Sequence, residues 1–176
     1  MPAPVLILPG FGSSGPQHWQ SIWEQLHPHY ARVNQRDWEH PVCDEWVATI
    51  ETAVRSAGPN VVLVAHSLGC LTIAHWAAGK HSPIKGALLV AVPDVNGSSF
   101  PKDTQGYSQT PTAAFSFPSI VVVSNNDPYA SVEHAEKLAT SWGSRIVRIG
   151  GCGHINADSE LGNWPAGQAL LKELCD

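Results

Sequence analysis

Charge is scarce in this sequence. Asp, Glu, Lys and Arg make up only 14% of 176 residues, and the net charge at pH 7 is −5. No cluster of Lys or Arg appears, so nothing in the chain is built to grip a phosphate backbone, and a nucleic-acid partner is excluded. Long apolar runs are missing too. No segment approaches the ~20 apolar residues that cross a bilayer, and Val5–Leu8 is too short, and lacks the basic flank, for a signal peptide. No membrane association is expected, and the expected location is cytoplasmic. Cysteine is sparse: Cys43, Cys70, Cys152 and Cys175 form no C-x-x-C pair, which predicts free thiols in a reducing compartment. The nine histidines are not spaced as ligands beside them, so no metal site is expected. Repeats and low-complexity tracts are also lacking. What remains is 43% hydrophobic residues in a length that suits a single domain, 1–176, with about 70% of its unfolded surface buried.

Six short apolar runs predict strands: Val5–Leu8, Ala31–Asn34, Val61–Ala65, Gly86–Val92, Ser119–Ser124 and Arg145–Ile149. The third and fifth are continuous rather than alternating, as strands covered on both faces are. Helical patterns lie between most of them: His18–Leu26, Asp44–Ala57, Leu68–Ala78, a helix capped by Ser131 and running to Trp142, and Pro165–Leu174. Alternating strands and helices imply a three-layer α/β/α architecture around a mostly parallel six-stranded sheet. Residues 93–118 break the pattern with four prolines and two glycines. A stretch of that length is either a lid over a site or a plain surface excursion.

One turn stands out. Val61–Ala65 is followed by His66-Ser67-Leu68-Gly69 and then by a helix, so a serine sits at the apex of a strand–turn–helix. A nucleophile elbow of the G-x-S-x-G type needs small residues two before and two after the serine, because strand and helix pass close there. Gly69 fits, and Ala65 replaces the first glycine with the next smallest side chain. Such a turn exposes the Ser67 hydroxyl and aims the Leu68 N–H at the place where negative charge would develop. The plainer alternative is that Ser67 only caps the helix.

A nucleophilic serine needs a base, and the base needs an orienting acid. In this arrangement they follow in the order Ser, Asp or Glu, His, on loops after later strands. Asp127 follows the fifth strand within Asn125-Asn126-Asp127-Pro128, and His154 follows the sixth within Gly150-Gly151-Cys152-Gly153-His154. Asp94, at the end of the fourth strand, is an alternative acid. His75, His81 and His134 fall on or beside helices, Asp158 reads as a loop hydrogen-bonder, and Cys152 lacks an elbow and reads as a small buried residue. His66 adjoins the serine, so its side chain must point away from the hydroxyl.

Gly10-Phe11-Gly12-Ser13-Ser14-Gly15 spells G-x-G-x-x-G after the first strand, with Asp37 some way beyond, as a dinucleotide fingerprint would have it. Pro16 argues against that reading, since it would fall in the first turns of the fingerprint helix. The competing reading makes the loop half of an oxyanion hole, with a second N–H from Phe11 or Gly12. A strand order 2-1-3-4-5-6 would bring the glycine loop and Ser67 together at the switch point.

The sequence resembles the small serine hydrolases related to retinoblastoma-binding protein nine, a minimal α/β-hydrolase group. The resemblance rests on Pro9-Gly10 through His18-Trp19, Asp37-Trp38, His66-Ser67-Leu68-Gly69 and Ser124 through Tyr129. It continues through Gly153 to Ser159 and in Trp164-Pro165, and covers nearly the whole chain. It implies a minimal α/β-hydrolase fold, a triad of Ser67, Asp127 and His154, and cofactor-free hydrolysis of a small-molecule acyl substrate, and it favours Asp127 over Asp94. It implies no retinoblastoma-protein partner, because Leu68-Gly69-Cys70-Leu71-Thr72 ends in Thr where L-x-C-x-E needs Glu. Glu160 stands where that family's loop is expected to carry glycine.

The expected chemistry is ester cleavage through an acyl-enzyme, with Trp19, Trp38 and His66 as candidate substrate-binding residues. Two alternatives are a dinucleotide-binding oxidoreductase using the Gly10–Gly15 loop, and a binding protein that keeps the fold without turnover.

Overall fold

Strand and helix alternate along almost the whole chain in the computed structural model, which describes residues 3–176. The strands are β1 (Val5–Leu8), β2 (Tyr30–Arg32), β3 (Val62–His66), β4 (Gly86–Val90), β5 (Ser119–Val123) and β6 (Arg145–Arg148). The helices are α1 (Trp19–Leu26), α2 (Cys43–Ala57), α3 (Leu68–Ala78), α4 (Val132–Trp142) and α5 (Pro165–Cys175). Sheet order is β2-β1-β3-β4-β5-β6, the order that would bring the glycine loop and Ser67 together, and every pairing is parallel. This is a minimal α/β-hydrolase fold.

The continuous apolar runs are explained by cover on both faces. Val5, Ile7, Val62, Val64, Leu88 and Val90 point to one side, where Trp19 and Trp23 of α1 and Leu171 and Leu174 of α5 pack. Leu6, Leu8, Leu63, Ala65, Leu89 and Val121 point to the other, against α2, α3 and α4. The period of two along each strand divides the core between the layers.

Element ends shift by one or two residues from the sequence expectation. β4 stops at Val90 because Ala91 takes a left-handed φ of 56°. α1 begins at Trp19, since His18 caps it by accepting the Gln20 N–H at Nδ1 (3.1 Å). Ser131 caps α4 as predicted, accepting the His134 N–H, and Gly143 ends that helix at φ 72°.

Residues 93–118 are a strap sewn to the α2–α3–α4 side rather than a free lid. Gln105 exchanges backbone hydrogen bonds with Pro41 and Cys43 (2.9 Å each). The Tyr107 hydroxyl lies buried, 2.8 Å from Thr72 Oγ1, and Trp142 Nε1 donates to the Pro111 carbonyl (2.8 Å).

The first turn of α3 passes very close to the end of β1. A Cβ placed on Gly69 would sit 2.5 Å from the Leu8 carbonyl oxygen and 3.0 Å from that of Pro9. Both are backbone atoms that cannot swing aside. Gly69→Ala should therefore destabilise the protein by about 1–3 kcal/mol, the usual cost of overpacking. Its urea midpoint should fall well below that of the wild type, whereas an unchanged midpoint would show that β1 can retreat.

Candidate active site

Ser67 links β3 directly to α3 with φ 53° and ψ −123°, a backbone conformation that costs a non-glycine residue about 1–3 kcal/mol. Neighbours hold it there: its N–H donates to the Val90 carbonyl (2.9 Å), and its carbonyl accepts from Cys70 N–H (2.9 Å). The hydroxyl does not cap α3. It lies 2.8 Å from His154 Nε2 instead. On the far side of that ring, Nδ1 is 2.9 Å from both carboxylate oxygens of Asp127. The side chains of His154 and Asp127 are 8% and 5% exposed, so the pair is shielded from water. Asp127 Oδ1 is fixed further by the Tyr129 N–H (2.9 Å). Asp94 is engaged elsewhere: it accepts the Asn96 N–H, and its Oδ2 stands 3.5 Å from His134 Nδ1.

The loop that carries His154 bends through left-handed backbone at Gly150, Gly153 and Ile155, with φ of 81°, 57° and 50°. Side chains from three other segments pin it. Ser124 Oγ accepts the Cys152 N–H (2.9 Å), and Asn126 Oδ1 accepts the Gly153 N–H (2.7 Å). From across the cleft, His66 Nε2 donates to the His154 carbonyl and Trp19 Nε1 to the Ile155 carbonyl, each at 2.8 Å. Glu160, just beyond, adopts the left-handed conformation (φ 51°) that glycine takes without strain.

The three expected substrate-binding residues are thus placed mainly as supports. Trp19 is 1% exposed, packed among Trp23 and Trp164, and does not line the cleft. Trp38 packs its ring against Trp46 and is also absent from the cleft wall. His66 is buried but does form part of that wall, beside Ser67.

The first glycine loop lies against the elbow. A Cβ on Gly10 would fall 2.9 Å from Ser67 Cβ and 3.0 Å from Leu68 N, so only glycine permits this approach. The two N–H groups predicted for the loop now differ. Gly12 N–H is spent on the Trp38 carbonyl (2.9 Å). Phe11 N–H and Leu68 N–H have no hydrogen-bond partner among the described residues. Arg32 steadies the loop by donating to Ser13 Oγ and the Ser14 carbonyl (3.0 Å each) while pairing with Glu24. The geometry departs from a dinucleotide turn, since α1 starts at Trp19, well past Gly15. Asp37, the would-be ribose ligand, accepts the N–H groups of Glu39 and His40 at one oxygen (2.9 Å each).

Sequence reasoning gave no role to His18, Gln20, Arg32 or Tyr129, although His18 and Tyr129 sit in the strings on which the resemblance rests. His18 lines the Ser67 cleft at 4% exposure, and Tyr129 lays its ring 4.2 Å from that of His154. Burial pushes the pKa of His18 down to about 4, helped by the charges of Arg32 and His154. Burial, followed by the neighbouring His18 and His154, also holds His66 well below the usual imidazole range. Both rings therefore stay neutral beside the one imidazole that would have to become charged.

That neutrality has a stability consequence. His18 binds its proton less readily folded than unfolded, so its contribution is intact above about pH 6.5 and is lost as the pH falls toward 4. A drop from 6.5 to about 4 corresponds to roughly 3 kcal/mol across that window. His18→Asn keeps a side-chain cap and removes the titration, so its unfolding free energy should fall less between pH 7 and pH 4.5. Urea melts at both pH values check this, and equal slopes for mutant and wild type would refute it.

The family described as Serine hydrolase matches residues 5–173. Among solved structures, a YdeN-like hydrolase of Pectobacterium atrosepticum is 32% identical, with a TM-score of 0.85 over 97% of this chain and 89% of that one. The ydeN gene product of B. subtilis is 19% identical, with a TM-score of 0.74 over 97% of each chain. Est1E of Butyrivibrio proteoclasticus, solved with ferulic acid bound, is 16% identical, with a TM-score of 0.73 over 98% of this chain and 89% of that one. The last two speak for the fold alone. No curated protein matches the chain.

Proposed function

The chain belongs to the serine hydrolase family, and from that premise we propose that it cleaves small acyl substrates, carboxylic esters foremost, with Ser67 as nucleophile, His154 as general base and acid, and Asp127 as the acid that orients it. The observation that carries this reading is the unbroken chain from Ser67 Oγ through His154 to Asp127, with contacts of 2.8, 2.9 and 2.9 Å, beside two unspent backbone N–H groups.

Ser67 Oγ attacks the carbonyl carbon while its proton passes to His154 Nε2. The bond from carbon to the alcohol oxygen then breaks, and His154 returns the proton to that oxygen. Water, deprotonated by the same nitrogen, attacks the acyl-serine and releases the acid, and Ser67 regains its proton. Asp127 holds Nδ1–H throughout and balances the imidazolium in a shielded site. Phe11 N–H and Leu68 N–H receive the oxyanion, and an oxyanion donor is typically worth about 10²–10³ in rate. Pre-placement of these donors lowers the barrier because they need no rearrangement as charge develops.

Ser67→Ala should abolish turnover of p-nitrophenyl acetate and covalent labelling by a fluorophosphonate probe. Full labelling of that variant would sink the assignment. Asp127→Asn should retain the fold and lose about 10⁴ in kcat, as expected when the base is held in the wrong tautomer. Near wild-type kcat in that variant would transfer the role to another group.

A further inference from the structure

Two cavities meet at His154. One, of about 160 Å³, holds Ser67 and is enclosed by Phe11, His18, His66 and Pro101. The other, of about 540 Å³, lies beyond the imidazole between Pro128, Gly151, Cys152, Asp158 and Ser159. Tyr129, His154 and Asn156 line both and form the shared wall.

Resting on Ser67 as nucleophile, the reaction itself assigns their contents. His154 must hand its proton to the leaving oxygen, so the leaving alcohol stands on the His154 side of the carbonyl. The acyl chain must then lie in the cavity that holds Ser67. At roughly 30 Å³ for a water-sized group, that cavity takes about five heavy atoms. The space beyond His154 is more than three times larger.

Polarity completes the assignment. Apart from His154, Asp158 is the one titratable carboxylate, ammonium or guanidinium group on the wall of the larger cavity. Its backbone N–H is engaged by Asn156 Oδ1 (3.1 Å). Its carboxylate has no hydrogen bond or ion pair among the described residues. No Lys or Arg lines either cavity. An anionic alcohol would meet repulsion there with nothing to offset it, while an ammonium or hydroxyl group would find an unspent acceptor.

We propose that this hydrolase removes a short acyl group, of two to four carbons, from a larger cationic alcohol that binds in the cavity beyond His154 against Asp158. Asp158 is a specificity residue and touches none of the reacting atoms. The step needs only water: the ester C–O bond breaks, the alcohol leaves with the proton from His154, and water supplies the second oxygen of the acid.

The test uses the purified full chain and kcat/KM for p-nitrophenyl acetate, butyrate and octanoate. It adds acetylcholine against its neutral isostere 3,3-dimethylbutyl acetate at low salt. Acetate and butyrate should exceed octanoate at least tenfold. Acetylcholine should exceed the isostere about two- to fivefold, the size expected of one partly exposed charge pair. That ratio should fall toward one in Asp158→Asn and below one in Asp158→Lys. Octanoate as good as butyrate, or a ratio that ignores both Asp158 variants, would overturn the proposal. Ser67 labelled by fluorophosphonate together with those results overturns only the partition of the two cavities. Absence of both labelling and ester cleavage overturns the nucleophile assignment on which it rests.

Discussion

The site depends on a steric contact between two stretches of backbone. β1 and β3 run side by side with Leu8 opposite Ala65, so the chain leaving β1 must cross the turn into α3. There is no room at that crossing for side chains: Gly69 faces the Leu8 carbonyl and Gly10 faces Ser67 and the Leu68 nitrogen. The same crossing brings the Gly10 backbone against Ser67 and the Leu68 nitrogen, at the strained turn that carries the Ser67 hydroxyl. A buried amide ties the crossing together. Gln20, fully enclosed, donates to the carbonyls of Leu8 and Val64 and accepts from Ser14 Oγ. The strain at Ser67 persists because these neighbours over-determine it.

The second half of the site is held by a different strategy. The His154 loop has little regular structure, and three of the six residues 150–155 take left-handed backbone. Such a loop would wander without external ties. Its carbonyls and N–H groups are instead taken up one after another by Ser124, Asn126, His66 and Trp19. Ser124 and Asn126 lie on the same β5 exit loop as Asp127, so one segment both carries Asp127 and ties down the loop of His154. His66, next to Ser67, and Trp19, at the start of α1, hold the His154 loop against the side of the site that carries Ser67.

The sequence carries the architecture because parallel strands buried on both faces must read as continuous apolar runs, and Val61–Ala65 and Ile120–Val123 do. It carries the Ser67, Asp127 and His154 positions because topology alone delivers the ends of β3, β5 and β6 to one edge. What it does not carry is side-chain direction. Trp19 and Trp38 stand in strings on which the resemblance rests, yet one ring is spent in the core and the other on Trp46. Trp38 contributes through its carbonyl, which takes the Gly12 N–H and leaves Phe11 as the open donor. Only the tertiary packing decides such a choice between adjacent amides. The strap at 93–118 was equally illegible, since its anchors at Pro41, Thr72 and Trp142 are distant in sequence.

The polar residues packed around the triad are neutral ones, and this follows from the chemistry the site would perform. Charge must appear during the reaction on an imidazole beside a buried carboxylate, and any fixed cation in contact with that ring would oppose it. His18 and His66 offer ring nitrogens for hydrogen bonding without carrying charge, because burial disfavours their protonated forms. Arg32, whose charge reaches His18, is paired with Glu24 and donates to Ser13 Oγ. The enclosure that keeps His18 and His66 uncharged is the same enclosure that would strengthen the pull of Asp127 on His154 when its proton arrives.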